Sequence, residues 1–163
     1  MTKLTTLGKS AETTVLVVRL GETLLALPIE WVEEVLPALP IESVPQCPSF
    51  VRGVVFVRGH LIPVLSAAER LGMANHERPD EPHIVCLNRN GRLIGVEFDE
   101  ALDLMNLDME ECLTAGQLGA ESGFMRGLVD RDGLVIRVLD PEKLIANEEM
   151  SALRDLPQIR KTN

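Results

Sequence analysis

Apolar residues fall in short runs separated by Gly, Asn or Pro, a strand-and-turn pattern for most of the chain. Residues 15–20 and 23–28 flank Gly21-Glu22 and predict a first hairpin. The period then changes: Ile29, Val32 and Val35/Leu36 stand at helical spacing with Glu30, Glu33 and Glu34 between them, which predicts a short helical turn ended by Pro37. Residues 37–48 contain four prolines and read as a connection with at most one short edge strand. Residues 54–57 and 61–64 flank Arg58-Gly59 and predict a second hairpin. Ser66 with Glu69 forms a capping box for one helical turn that Gly72 stops. The charged, Pro-bounded stretch 75–82 is the candidate mid-chain boundary.

A third hairpin is predicted for residues 83–87 and 93–98 around Asn90-Gly91, followed by a second acidic turn, Asp99-Glu100-Ala101-Leu102-Asp103-Leu104, and a polar connection over 108–123. The last hairpin turns at Gly133, and Asp140-Pro141 then supplies an N-cap and a first-turn proline for a closing helix, 141–154, carrying Leu144, Ile145, Met150 and Leu153. Residues 2–12 are expected to form a loose polar tail and those after Pro157 to be disordered.

The hairpins recur. Phe50, Arg52, Gly53, Val55, Gly59, Ile62 and Val64 reappear as Phe124, Arg126, Gly127, Val129, Gly133, Ile136 and Val138, each 74 positions later, as 50 and 124 or 59 and 133 are. The first hairpin and acidic turn recur at 69 positions: Leu25-Ala26-Leu27 as Ile94-Gly95-Val96, Ile29 as Phe98, Glu34 as Asp103, Val35 as Leu104. The expectation is one domain spanning 1–163 with internal copies at about 13–74 and 82–140. Each copy holds enough strands of five or six residues for a small barrel. The predicted fold is all-β: two five-stranded barrels around a shared apolar core, with a C-terminal α-helix.

Composition narrows the function classes. The net charge is −9 with no basic cluster, which disfavours nucleic acid and anionic membrane surfaces as partners. No stretch is long and apolar enough to be a signal core or to span a bilayer, so the expected compartment is the cytoplasm. Cys47, Cys86 and Cys112 lack C-x-x-C spacing and fit reduced thiols, and His60, His76 and His83 lack ligand spacing, so no metal site is expected.

The acidic turns offer carboxylates but no nearby His or Lys, so solvated surface or a fixed ion pair is favoured over acid–base chemistry. Ser49, Ser66 and Ser122 lack a nucleophile-elbow setting, and no phosphate-binding glycine loop occurs. The chain is expected to be no enzyme and to need no cofactor. Where the copies disagree the lead is sharper. Arg58 stands where the second copy has Asp132, so Glu34 and Arg58 can pair in copy one whereas Asp103 and Asp132 cannot in copy two. The alternative is that a hairpin turn tolerates any polar residue. Trp31 reads as a packing residue, with an interface anchor as the other option.

The spelling of residues 32–35, 48–64, 94–104, 124–129 and 142–150 resembles the CheW family of chemotaxis adaptors, over nearly the whole chain from 15 to 153. The resemblance implies two SH3-like barrels around a shared core and a C-terminal helix. It implies a non-catalytic scaffold that couples the cytoplasmic tip of a methyl-accepting chemoreceptor to the regulatory domain of a CheA-like histidine kinase. It places Glu34 and Arg58 on the acidic and basic positions associated with adaptor function, with receptor contact in an apolar groove near Val32, Val35 and Val96, and kinase contact at barrel ends.

Members usually show N-L-R-G where this chain has Phe56-Val57-Arg58-Gly59, and D-L where it has Leu65-Ser66, which keeps a pilus, surface-sensing or second-messenger pathway open. The rivals are a small ligand-binding protein using the inter-barrel groove, which needs a polar cluster there, and a regulatory fragment of a larger kinase. The start, tail and closing helix favour a complete chain.

Overall fold

The computed structural model describes residues 12–73, 75–119 and 123–145. Of the expected tail over 2–12, Glu12 instead opens the first strand and the remainder lies outside these residues, as do the far part of the closing helix and the chain end.

The chain forms β1 (Glu12–Leu20), β2 (Thr23–Pro28), a 3-10 turn (Ile29–Trp31), β3 (Val32–Leu36), β4 (Val51–Val57), β5 (His60–Ser66) and α1 (Ala67–Arg70). It continues with β6 (His83–Arg89), β7 (Arg92–Phe98), β8 (Glu100–Asp108), a second 3-10 turn (Met109–Glu111), β9 (Leu113–Thr114), β10 (Met125–Arg131), β11 (Leu134–Leu139) and α2 (Pro141–Ile145). The four predicted hairpins form where expected. Ser66 Oγ accepts from the Glu69 amide at 3.1 Å, and Asp140 Oδ1 from the Glu142 amide at 3.1 Å, so both helix caps form as read.

Both predicted acidic turns are mostly strand. Only Ile29–Trp31 is helical, and Val32–Leu36 pairs antiparallel with β6. Glu100–Asp108 pairs with β1. The run V-E-E-V-L fits a strand as well as a helix, and partners distant in sequence decide between them.

The strands build two sheets, ordered β8-β1-β2-β11-β10-β9 and β3-β6-β7-β5-β4, so the first sheet has six strands where five were expected, the extra one being the two-residue β9. Each sheet mixes the halves of the chain. β11 lies parallel to β2 with Val138 against Ala26, and β5 lies parallel to β7 with Val64 against Gly95. These two pairings are the same pairing under the repeat offsets of 74 and 69, so the copies exchange their first hairpins across a pseudo-two-fold relation.

Burial explains why the strands read as continuous apolar runs: both faces are covered. In β1, Val15 and Val17 point into a cluster inside the first sheet with Leu107, Val129 and Ile136, while Leu16, Val18 and Leu20 point into the core shared between the sheets. In β6, Ile84 and Cys86 point into the cluster inside the second sheet, and Val85 and Leu87 into the shared core. Successive side chains alternate faces, so one strand serves two cores.

Close backbone approach fixes two glycines. A Cβ at Gly53 would collide with the Glu42 carbonyl, and one at the equivalent Gly127 with the Leu113 carbonyl. At these points the connecting segments cross β4 and β10, through the Glu42–Val54 bridge and the β9 pairing.

Candidate functional site

The outer strands of the second sheet, β3 and β4, both feed its internal cluster, through Leu36 from one and Val55 and Val57 from the other. The sheet must therefore curl until its edges face each other, and Arg58, at the tip of the β4–β5 hairpin, donates across that seam from Nη2 to Glu34 Oε2 on β3. The predicted pair forms.

The backbone underlines the position. Arg58, Asn90 and Asp132 are the equivalent first residues of two-residue hairpin loops, with φ of 47°, 54° and 53°. Asn and Asp tolerate the left-handed region; a long side chain there costs about 1 kcal/mol. Arg58 occupies it with its side chain two-thirds exposed, so packing does not hold it there; its partner is the Glu34 carboxylate.

Val35, adjacent to Glu34, is 41% exposed, and Phe56, two residues before Arg58, is equally so. Val32 is half-buried against the shared core, as is Trp31, whose packing reading holds. Val96 is different. It is fully buried on β7, opposite Val85, and forms part of the shared core, so it cannot line an open surface groove. The resemblance placed it near a groove, but β7 is the central strand of its sheet.

Cys86 lies across from Glu34 on β6. Burial pushes its thiol from the ordinary 9.0 up to about 11, and the Glu34 charge adds to the effect while Arg58 opposes it. The partly buried Cys112 thiol is also raised by burial. Both shifts disfavour the thiolate, the nucleophilic form.

The second copy closes its seam differently. Asp132 makes no link to Asp103, but the preceding residue, Arg131, donates through Nη1 to the backbone carbonyl of Asn106 on β8. Pairing by repeat offset alone hides a contact displaced by one residue.

Two further charged groups are paired in ways the sequence did not show: Glu97 was not singled out, and Asp99, which opens the second acidic turn, meets a histidine where none was expected nearby. Glu97, in β7, is buried with a side chain 4% exposed; its Oε1 accepts from Arg52 Nε and Arg78 Nε, each at 2.9 Å, and its Oε2 from Arg78 Nη2 at 2.7 Å. Asp99 is also buried; its Oδ1 meets His76 Nε2 at 2.8 Å and its Oδ2 accepts from the Gly21 amide at 2.8 Å. Arg78 thus pins the expected boundary segment to β7, and His76 pins it to Asp99 just beyond that strand. A glutamate between Val96 and Phe98, in a run buried on both faces, was the available signal, because such a carboxylate needs a cation.

Arg70 is the third such residue. It is buried with its guanidinium 4.5 Å from the Phe50 ring and 4.7 Å from the Phe124 ring, and its Nε donates to the Leu144 carbonyl at 3.0 Å. Phe50 and Phe124 are repeat equivalents, as are positions 70 and 144, so Arg70 sits on the pseudo-two-fold relation and ties the halves together.

The apolar cavity of about 320 Å³ lined by Thr23, Leu25, Leu71, Met73 and Phe124 has Arg137 as its charged lining residue. Among the described residues its lining includes no His, Cys or carboxylate. Among the described residues no group of three or more His, Cys, Asp or Glu could hold a metal ion, and no helix is long and apolar enough to cross a membrane.

Fold and site together define a two-sheet β module with an ion pair across the edge seam of its second sheet. The family model of the CheW-like domain matches residues 14–149, and the chain belongs to that family. Among its relatives, the chemotaxis protein CheW of Thermotoga maritima is 30% identical over 80% of this chain and 86% of its own length. The chemotaxis protein CheW of Klebsiella aerogenes is 24% identical over 93% of this chain and 95% of its own. In fold, the chain resembles the scaffolding protein TtCheW of Thermoanaerobacter tengcongensis, with a TM-score of 0.75, 22% identity, and coverage of 84% of this chain and 94% of that one.

Proposed function

We propose that this chain is a non-catalytic cytoplasmic adaptor of a chemosensory system, coupling the cytoplasmic tips of chemoreceptors to the regulatory domain of a CheA-like histidine kinase. Its receptor-facing surface comprises Glu34, Val35 and Arg58, with Val32 at its inner margin. The observation that carries the reading is the Arg58–Glu34 pair: a left-handed arginine, costly for its turn, kept in an exposed contact beside an exposed valine on a protein that belongs to the CheW-like family.

Apolar positions would supply most of the contact and the ion pair its register, with individually modest affinities multiplied by array valency. The test is co-purification of wild type and Arg58→Glu with the kinases and chemoreceptors of the source cell. The substitution places two acids on the seam and should abolish capture of at least one partner while the fold persists. Unchanged capture with an unchanged fold refutes the role of Arg58.

A second reading concerns the pathway. Phe56, 41% exposed, stands beside the site where the family usually carries Asn. That apolar surface fits an adaptor adjusted to a different receptor set, such as a pilus or surface-sensing pathway, and the identity of the captured receptor decides it.

A further inference from the structure

We infer that the cavity of about 290 Å³ between β4, α1 and the segment at residues 75–78 is a binding site for a small oxyanion, a phosphate or carboxylate group, held by Arg52 and Arg78 over Glu97. This goes beyond the adaptor reading and does not depend on it. The cavity lining includes Arg52, Arg78, His76, Asn75, Ser66 and Glu69.

Glu97 engages one N–H donor of Arg52 and two of Arg78. Each guanidinium carries five donors. The remaining ones meet no protein acceptor among the described residues, and both arginines line the cavity. Glu97 offsets one of the two cations and Glu69, at the rim, stands against the other, so the site's claim on an anion rests on directed guanidinium donors and not on surplus charge. Glu97 also fixes both guanidiniums, and pre-organised planar donors are what bidentate recognition of a carboxylate or phosphate requires.

The duplicated fold does not demand this cluster. The repeat equivalent of Arg52 is Arg126, which is exposed, and the equivalent of Glu97 is Pro28. Clasping residues 75–78 to the sheet would need one cation on Glu97, and the structure supplies two. The volume suits a small molecule near the lower end of ligand pockets and is too small for a partner's helix.

The test is isothermal titration of the full chain, at constant ionic strength, with inorganic phosphate and separately with malonate. At least one should bind saturably, and which one does assigns the anion to the phosphate or the carboxylate class. Arg52→Gln should weaken that binding tenfold or more. Glu69→Gln removes an opposing charge at the rim and should tighten it about threefold. Arg89→Gln, on the Glu142 pair outside the cavity lining, should leave it unchanged. No saturable binding of either probe, or retained affinity in a folded Arg52→Gln, overturns the site. Should Arg52→Gln fail to fold, an unchanged affinity in Glu69→Gln overturns it instead.

Discussion

Replacing Arg58 by Asn separates what the seam contributes to folding from what it contributes to recognition. Two effects of opposite sign meet there. The Arg58 side chain is 66% exposed and that of Glu34 28%, so their ion pair is largely screened and belongs with surface pairs worth about 0.2–1 kcal/mol. Asn is far better tolerated than Arg at φ 47°, as Asn90 in the equivalent turn illustrates, and relief of left-handed strain returns up to about 1 kcal/mol. The net change in unfolding free energy should lie within about 0.5 kcal/mol of zero.

The assay is urea unfolding of wild type, Arg58→Asn, Glu34→Gln and the double variant, with partner capture measured on the same four proteins. The expected pattern is four nearly superposed unfolding curves, a coupling between the positions below about 1 kcal/mol, and loss of capture in every variant that breaks the pair. A loss above about 1.5 kcal/mol for Arg58→Asn would mean that the seam is held shut by this pair and that its exposure misleads. Full capture by a stable Arg58→Asn would remove Arg58 from the recognition surface.

Three further outcomes follow from the packing. Arg70→Ala should cost about 3 kcal/mol in denaturant unfolding, from two cation–π contacts of about 1 kcal/mol each and one charge-assisted hydrogen bond; a cost under 1 kcal/mol would show that the halves hold together without it. Gly53→Ala should destabilise by several kcal/mol, since its Cβ meets backbone, the Glu42 carbonyl, and not a side chain that can swing away; Gly59→Ala, with open space around its Cβ, should cost only the strain of its left-handed turn. Cys86, whose thiol is raised from 9.0 to about 11 in the fold, contributes stability that is fully present below pH 9 and is lost as pH rises through 11. That loss should amount to roughly 2–3 kcal/mol, appear as a falling urea midpoint over this window, and be absent in Cys86→Ala.

The hairpins were legible in the chain because their signals are local. Asn90-Gly91 and Arg58-Gly59 impose turns on their neighbours, Ser66 and Asp140 cap the helices that follow them, and the repeat announces a duplicated unit. The Glu34–Arg58 pair was legible for a related reason: comparison of the copies exposed the one turn where the charge had changed sign. Long-range pairing was not legible. Val32–Leu36 becomes a strand because β6 and the interior cluster meet it, and Val96 is buried because β7 is the central strand of its sheet, neither of which any local window contains.

The sequence by itself determined the all-β class, the turns, the duplication and the family likeness, since each rests on propensity, turn chemistry or residue identity along the chain. Only the tertiary structure decided that the copies exchange hairpins so that each sheet is built from both. Only it brought Arg52 and Arg78 onto the buried Glu97, and Arg70 between Phe50 and Phe124. The physical reason is the same in each case: a buried charge or a parallel strand pairing is satisfied by residues dozens of positions away, and which residues those are depends on how the whole chain closes.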